Sequence, residues 1–598
     1  SVPALALLAF TPSSCDRLST MACKTWIVLI PVSALLNLVC LQWIGQPLLS
    51  TGSWHAVTSL LPKLTGFITQ GVVTGGLLIT FAAGLIAVVL PRLANQVSKF
   101  LHARFAGMRS THLACIAFAL SIAASVPAWI DRKQTRESML NAPGLHPFCM
   151  IGLARSSWVG PAATQPSSHA TGSNYPDIDD HANKSNAGGI VQARARRVRQ
   201  LSTIADAPNR SRPDIVLVIV ESLRKELVDE EVMPNLADLA NRGLMCRNHF
   251  SGGNATNHGI FSIVSGMEAV WYDTDLKYSP SLNRLLRTAG YEIGFFAGEN
   301  DWRTFLMDGF INADHYDRFD SRPRAGLTSD RRAIELASDF LNRSSDGLTT
   351  DQDKPRMAVV YLYSTHAMYQ SFAEDQIFDP AADDRFIYPY SSKMQPLVWN
   401  RYKNSARSMD RLLSTVIRED RVIVITGDHG EAFLEDTTIG HGIRISEFQN
   451  MTPAVVHIPH SQPRVIHSPT SHADLLPTIL SAIDLRLTNA TTLDGVSLLD
   501  ATEEELADRT FTTRNYLQPD VGMIGPWTSV PEQPFAIRGT VSLSKSIVDP
   551  LNPIDRRGFE ITPQTPMADL ETAFSNWFEM QQLRSFGRPE QPEHYAPQ

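Results

Sequence analysis

Three apolar runs punctuate the middle of the chain: Ile215-Val216-Leu217-Val218-Ile219-Val220, the stretch 357–364, and Val422-Ile423-Val424-Ile425. Continuous runs of this length, rich in β-branched residues, are the signature of strands buried on both faces. Each run ends on polar residues, namely Glu221-Ser222, Thr365-His366 and Asp428-His429-Gly430-Glu431. In an open α/β sheet, ligands gather beyond the carboxyl ends of the strands. The pattern therefore predicts three strands that aim metal-binding and acid/base side chains at one rim. Between the runs the periodicity changes, predicting helices over 234–242, from Thr256 onward, over 398–418 and over 473–482, with further strands at 245–250, 292–297 and 454–458. Strands alternating with helices specify an α/β fold, a mostly parallel sheet flanked by helices. Beyond residue 500 the pattern thins to a small antiparallel sheet around 534–548 and a helix over 567–582.

The amino-terminal part follows another rule. Residues 25–44 and 72–90 are uncharged and apolar, about twenty residues each, enough to cross a bilayer core. Residues 113–130 form a third, weaker candidate because Pro127 lies near its end, and 56–69, interrupted by Lys63, reads as re-entrant or interfacial. Arg92, Lys99, Arg104 and Arg109 stand between the second and third candidates with no acid among them, whereas the loop after the first carries only Lys63. By the positive-inside tendency the basic loop is cytoplasmic and the chain after Ile130 is outside. A cleaved signal peptide would explain only one of these segments. The chain opens on Ser1, and Met21-Ala22-Cys23-Lys24 directly precedes the first apolar run, so the first twenty residues read as a fragment or a misassigned start.

The expected organisation is a membrane region over 1–131 with three transmembrane helices, a linker over 132–210, a catalytic domain over 211–560 and a carboxyl-terminal tail over 561–598. The linker is rich in Ser, Ala, Gly, Pro, Asn and Asp, and its basic cluster Arg194, Arg196, Arg197 and Arg199 reads as solvated, or as a contact with anionic headgroups. A net charge of -8 over 598 residues provides no basic footprint, which sets nucleic acid aside as a partner. The six cysteines, Cys15, Cys23, Cys40, Cys115, Cys149 and Cys246, form neither a disulfide framework nor a zinc spacing.

The loop Ser251-Gly252-Gly253-Asn254-Ala255-Thr256 opens into an apolar helical stretch. A hydroxyl at a helix amino terminus meets free amides and the positive end of the dipole, which favour an alkoxide and a bound phosphate or sulfate. The plainer alternative is an N-cap threonine.

In this order, Val220-Glu221-Ser222, Gly253-Asn254-Ala255-Thr256, Gly427-Asp428-His429-Gly430-Glu431 and Gly440-His441-Gly442 resemble the alkaline phosphatase and sulfatase superfamily, and Ser471 to Thr478 and Asp494 to Leu498 resemble the stretches that close its core. The resemblance covers roughly 213–500 and is greatest to the membrane-anchored branch of lipoteichoic acid synthases, phosphoglycerol and phosphoethanolamine transferases and inner-membrane sulfatase-fold proteins. It implies that Glu221, Thr256, Asp428 and His429 bind one divalent cation, with Thr256 as nucleophile. Two carboxylates, an alkoxide and an imidazole suit Zn2+ or Mn2+, with Mg2+ as a further option. The resemblance also implies that His366 and His441 hold phosphate or move protons, and that Trp302 and Arg303 meet the substrate.

Two departures narrow the reaction. No Cys/Ser-x-Pro-x-Arg signature surrounds Thr256, and Glu221-Ser222 replaces a paired Asp-Asp. The expectation is transfer or hydrolysis of a phospho-headgroup from a phospholipid donor to a hydroxyl acceptor on a glycan or lipid, or to water, through a Thr256 intermediate. The catalytic domain would lie outside a multi-pass inner membrane anchor. Sulfate-ester hydrolysis and an inactive envelope lipid sensor are the alternatives.

Overall fold

The computed structural model describes residues 189–586 apart from 206–211, 301, 304, 325, 343–353, 387–389, 519, 530–533, 544–546 and 563–566. The expected spans at 25–44, 72–90 and 113–130 lie outside the described residues. Among the described residues, no helix is long and apolar enough to cross a membrane.

The three apolar runs are adjacent strands. The main sheet has eight strands: β1 (Ile215–Val220), β2 (Leu244–Cys246), β3 (Glu292–Ala297), β4 (Arg318–Asp320), β5 (Arg356–Leu362), β6 (Val422–Gly427), β7 (Ala454–His457) and β8 (Arg464–Ile466), in the spatial order β8-β2-β7-β6-β1-β5-β3-β4. β1 pairs in parallel with both β5 and β6, so Val220 stands beside Leu362 on one side and Gly427 on the other. The polar residues after all three strands consequently emerge at one rim. β7 alone runs antiparallel to its neighbours.

Every residue of β1 is fully buried because both sheet faces are covered. Ile215, Leu217 and Ile219 join a core that includes Ile260 and Phe261 of α3 (Thr256–Ser265), Leu285 of α4 (Ser281–Thr288) and Leu476 of α7 (Leu475–Ala482). Further helices are α1 (Gly189–Arg199), α2 (Pro234–Arg242), α5 (Leu327–Asn342), α6 (Gln395–Leu413) and α8 (Met567–Phe586); α2 packs on β7, and α5 on β3 and β5. A separate antiparallel sheet of four strands, β9 (Phe511–Arg514), β10 (Asp520–Ile524), β11 (Ala536–Ser542) and β12 (Ile547–Ile554), follows the core and is larger than the pattern around 534–548 suggests.

The linker and tail boundaries differ from the expectation. From Gly189 the chain belongs to the folded unit: Arg194 is fully buried, ion-paired with Asp494, and its guanidinium lies 5.0 Å from the Trp271 ring centroid. Residues Thr203–Ala205 then pair antiparallel with Leu485–Leu487. Composition alone reads such a basic segment as solvated because the acid that neutralises it is 300 residues away in sequence. At the other end, α8 occupies most of the supposed tail and buries Phe574 and Trp577 against Val521, Met523 and Ile537.

Candidate active site

Ala255, with extended backbone (φ -152°), holds the N-cap position of α3, and Thr256 is the first helical residue. The Thr256 hydroxyl is therefore free of the capping role that the local sequence allows. It donates to Glu221 Oε2 at 3.3 Å and lies 3.4 Å from His429 Nε2. Glycines make this approach possible. A Cβ on Gly259 would fall 2.0 Å from the Asp428 carbonyl oxygen, and one on Gly252 would fall 2.0 Å from Ser262 Oγ. The Ser251 hydroxyl donates to the same Asp428 carbonyl at 2.5 Å, which ties the loop to the end of β6.

The acids and the imidazole converge from two strands. Glu221, Asp428 and His429 are buried, and each offers a ligand atom within 4.8 Å of the others. His429 Nε2 is 3.3 Å from Glu221 Oε1 and 3.5 Å from Asp428 Oδ2. Asp428 Oδ1 accepts two backbone N–H groups, from Ser222 and His429, both at 2.8 Å, which leaves Oδ2 as the oxygen facing the cluster. His429 Nδ1–H donates to the Gly430 carbonyl at 2.8 Å, directing Nε2 inward.

Electrostatics follow from this crowding. Burial would raise the Glu221 carboxyl, but the hydrogen bond and charge of His429, with His366 and His441, hold it well below the usual range. Burial and the Glu221 charge push Asp428 up. Burial would lower His429, yet the two acids outweigh it and raise the imidazole to about 10. Two buried acids beside one imidazole leave unbalanced negative charge, which in a low-dielectric interior calls for a cation. Glu221, Asp428, His429 and Thr256 could hold one.

A second group lies alongside. The His441 ring centroid is 4.1 Å from that of His429 and 5.6 Å from that of His366. Glu221, His366 and His441 also offer ligand atoms within 4.8 Å of one another. His441 Nδ1–H donates to the buried Glu431 Oε2 at 2.7 Å, and Glu431 Oε1 accepts the Tyr369 hydroxyl at 2.7 Å. His366 stacks on Tyr363 with centroids 4.9 Å apart and donates from Nδ1 to the Ala367 carbonyl at 2.9 Å. His366 and His441 thus border the site beside Glu221 and His429, with one nitrogen each already engaged.

Residues 213–485 match the family model described as Sulfatase. The match covers less than half of the chain, over the stretch that holds Glu221, Thr256, Asp428 and His429. An uncharacterised protein of Haemophilus influenzae is 34% identical over 96 residues, 16% of this chain and 16% of that protein. The inner membrane protein YejM of Salmonella typhimurium is 22% identical over 278 residues, 45% of this chain and 41% of that protein. The matches thus span less than half the length of these curated relatives. The zinc complex of the C-terminal periplasmic domain of EcEptC from Escherichia coli aligns at 17% identity over 53% of this chain and 93% of that domain, with a TM-score of 0.41.

Within the matched stretch, neither Arg303 nor Trp302 is bonded to the four converging groups among the described residues. Arg303 is exposed, and among the described residues no hydrogen bond or ion pair joins it to the four converging groups. Trp302 is buried, with its ring edge-on to Phe295 and to Tyr361, each at 5.6 Å. It meets the site through Tyr361. A Trp-Arg pair after a strand carries no information about which way each side chain turns, and here burial took the indole and left the guanidinium outside.

His472 and Asp474 are engaged elsewhere: Asp474 closes a capping box with Ser471 and pairs with Arg509, and His472 is buried against the Gly259 carbonyl. Three participants escaped sequence reasoning. Ser222 and Glu431 stand inside the matched motifs without an assigned role, and Tyr361 is hidden in an apolar run. The only available signal for Glu431 was its place two residues after His429 at a strand end.

Proposed function

We propose that the protein is a membrane-anchored, metal-dependent enzyme that transfers or hydrolyses a phospho-headgroup through a covalent Thr256 intermediate. The observation that carries this reading is the meeting of the Thr256 hydroxyl with Glu221, Asp428 and His429 at the amino terminus of α3. A bound Zn2+ or Mn2+ would supply charge stabilisation for an alkoxide and for phosphoryl oxygens. Glu221, Asp428 and His429 would hold it, with Thr256.

Thr256 Oγ1 attacks phosphorus, forming a P–O bond while the bond to the lipid alkoxide breaks. The Thr256 proton is lost to solvent beforehand, and the free amides at the start of α3, with a cation where one is bound, would hold the resulting alkoxide. The leaving alkoxide takes a proton from the His441 nitrogen not bonded to Glu431. In the second step an acceptor hydroxyl, or water, gives its proton to that nitrogen and attacks phosphorus, and Thr256 Oγ1 departs as the alkoxide. The free amides at the start of α3 stabilise the equatorial oxygens in both steps, so that positioning and electrostatics carry most of the rate. The apolar segments 25–44, 72–90 and 113–130, and similarity to a protein named as an inner membrane protein, support an anchor that brings a phospholipid donor to an extracytoplasmic site.

The test uses the purified full-length chain in detergent, assayed for metal content and for turnover of a nitrophenyl phosphodiester by wild type and Thr256→Ala. Bound divalent metal, with turnover reduced about 10³-fold or more in the variant, is expected. Equal turnover by Thr256→Ala overturns the covalent mechanism. A wild type without metal or turnover supports the lipid-sensor alternative.

A further inference from the structure

Glu221 is gripped from both sides by hydroxyl groups outside the converging quartet. Ser222 Oγ donates to Glu221 Oε1 at 2.7 Å, and the Tyr361 hydroxyl donates to Oε2 while lying 3.5 Å from Asp428 Oδ2. An ionised carboxylate has about four lone-pair positions, so one hydroxyl on each oxygen leaves each oxygen a position for a cation or for Thr256. Tyr361 is fixed in turn: it belongs to β5, is almost fully buried, and carries the Trp302 ring at its edge.

Ser222 is unusual in its backbone. It has φ +53°, a left-handed conformation that a residue with a Cβ adopts only when its surroundings over-determine it. Those surroundings are visible. Its N–H donates to Asp428 Oδ1 at 2.8 Å, its carbonyl accepts the Tyr402 hydroxyl at 2.5 Å, and the Thr365 hydroxyl donates to the preceding Glu221 carbonyl at 2.6 Å. One residue therefore holds Glu221 with its side chain and Asp428 with its amide.

We propose that Tyr361 and Ser222 are positioning residues that aim the Glu221 carboxylate at the cation, and that cation affinity depends on their hydroxyl groups. This rests on the metal-dependent reading above. Without the phenol, Glu221 Oε2 keeps only the longer Thr256 donor, at 3.3 Å, and the carboxylate gains freedom to rotate away from Asp428 and His429. Outer hydrogen-bond partners of metal ligands typically contribute about 10–100-fold in affinity. Tyr361→Phe keeps the ring in the core and removes only the oxygen. Ser222→Gly accepts the left-handed backbone and removes the hydroxyl, whereas Ser222→Ala removes the hydroxyl and keeps the strain.

The experiment strips full-length protein with a chelator, titrates it with Zn2+ against a chromophoric competitor, and measures nitrophenyl phosphodiester turnover at saturating Zn2+. Tyr361→Phe is expected to raise the Kd about 10–100-fold and to recover most of the wild-type kcat once saturated, a split that a loss of general stability does not produce. Ser222→Gly and Ser222→Ala are expected to weaken Zn2+ binding alike. A Tyr361→Phe Kd within threefold of wild type overturns its half of the proposal, and wild-type affinity in Ser222→Gly overturns the other. Should thermal melting show one variant unfolded, the other still decides. If wild type binds no Zn2+ at all, the metal-dependent reading falls and this inference with it; if wild type binds and the variants bind equally well, only this inference falls.

Discussion

Replacing Gly259 with alanine sets local propensity against tertiary packing. Gly259 lies in the first turn of α3, three residues after Thr256, and alanine in a helix is favoured over glycine by about 0.8–1 kcal/mol. The added Cβ, however, would fall 2.0 Å from the Asp428 carbonyl oxygen, 2.9 Å from its carbon and 3.1 Å from Ser251 Oγ. The first two neighbours are backbone and cannot swing aside. Ordinary van der Waals separation requires α3 and the end of β6 to part by at least about 1 Å. Overpacking of this kind costs about 1–3 kcal/mol, so after the propensity gain the net loss of stability is about 0–2 kcal/mol, which alone decides little.

The effect on the site is more decisive. The displacement falls between the helix that carries Thr256 and the strand end that carries Asp428 and His429, and a shift of about 1 Å in reacting groups costs about 100-fold in rate. Full-length Gly259→Ala should therefore melt within a few degrees of wild type yet turn over a nitrophenyl phosphodiester about 100-fold more slowly. Gly189→Ala, whose Cβ would meet nothing within 4 Å, is the matched control. Gly259→Ala with activity within threefold of wild type would refute the claim that the contact of α3 with β6 positions the nucleophile.

Glu431→Gln replaces the charge-assisted bond to His441 Nδ1 with a neutral one; turnover of the same diester should fall about 10–100-fold with Zn2+ content unchanged, and an unchanged rate would remove His441 from proton transfer. Arg194→Met leaves the buried Asp494 with Arg584, at 3.1 Å, as its remaining arginine partner and takes the cation from the Trp271 face; it should lower unfolding free energy by about 3 kcal/mol, read as a shift in the urea midpoint at unchanged slope. A shift corresponding to under about 0.5 kcal/mol would show that α1 does not depend on this ion pair.

Much of the fold was legible because it is written locally. Apolar runs of strand length announce β1, β5 and β6, and the residues that follow each run must emerge where that strand ends. Glu221, Asp428-His429 and His366 were readable as rim residues from covalent adjacency alone, and Thr256 from the small-residue loop that opens a helix. Whether parallel pairing brings those ends to one rim is a property of β1 lying between β5 and β6, which no single segment records.

What only tertiary structure decided depends on partners distant in sequence. Tyr361 reads as one more core residue until β5 lies beside β1 and its hydroxyl reaches Glu221, 140 positions away. Arg194 reads as solvated until Asp494 meets it, and Trp302 and Arg303 are indistinguishable as site residues until one is buried and the other is not. Hydrophobic periodicity is a one-dimensional record of burial and so specified the strands and the residues that follow them. The direction of a side chain and the identity of its hydrogen-bond partner are set by packing in three dimensions, where local pattern leaves no trace.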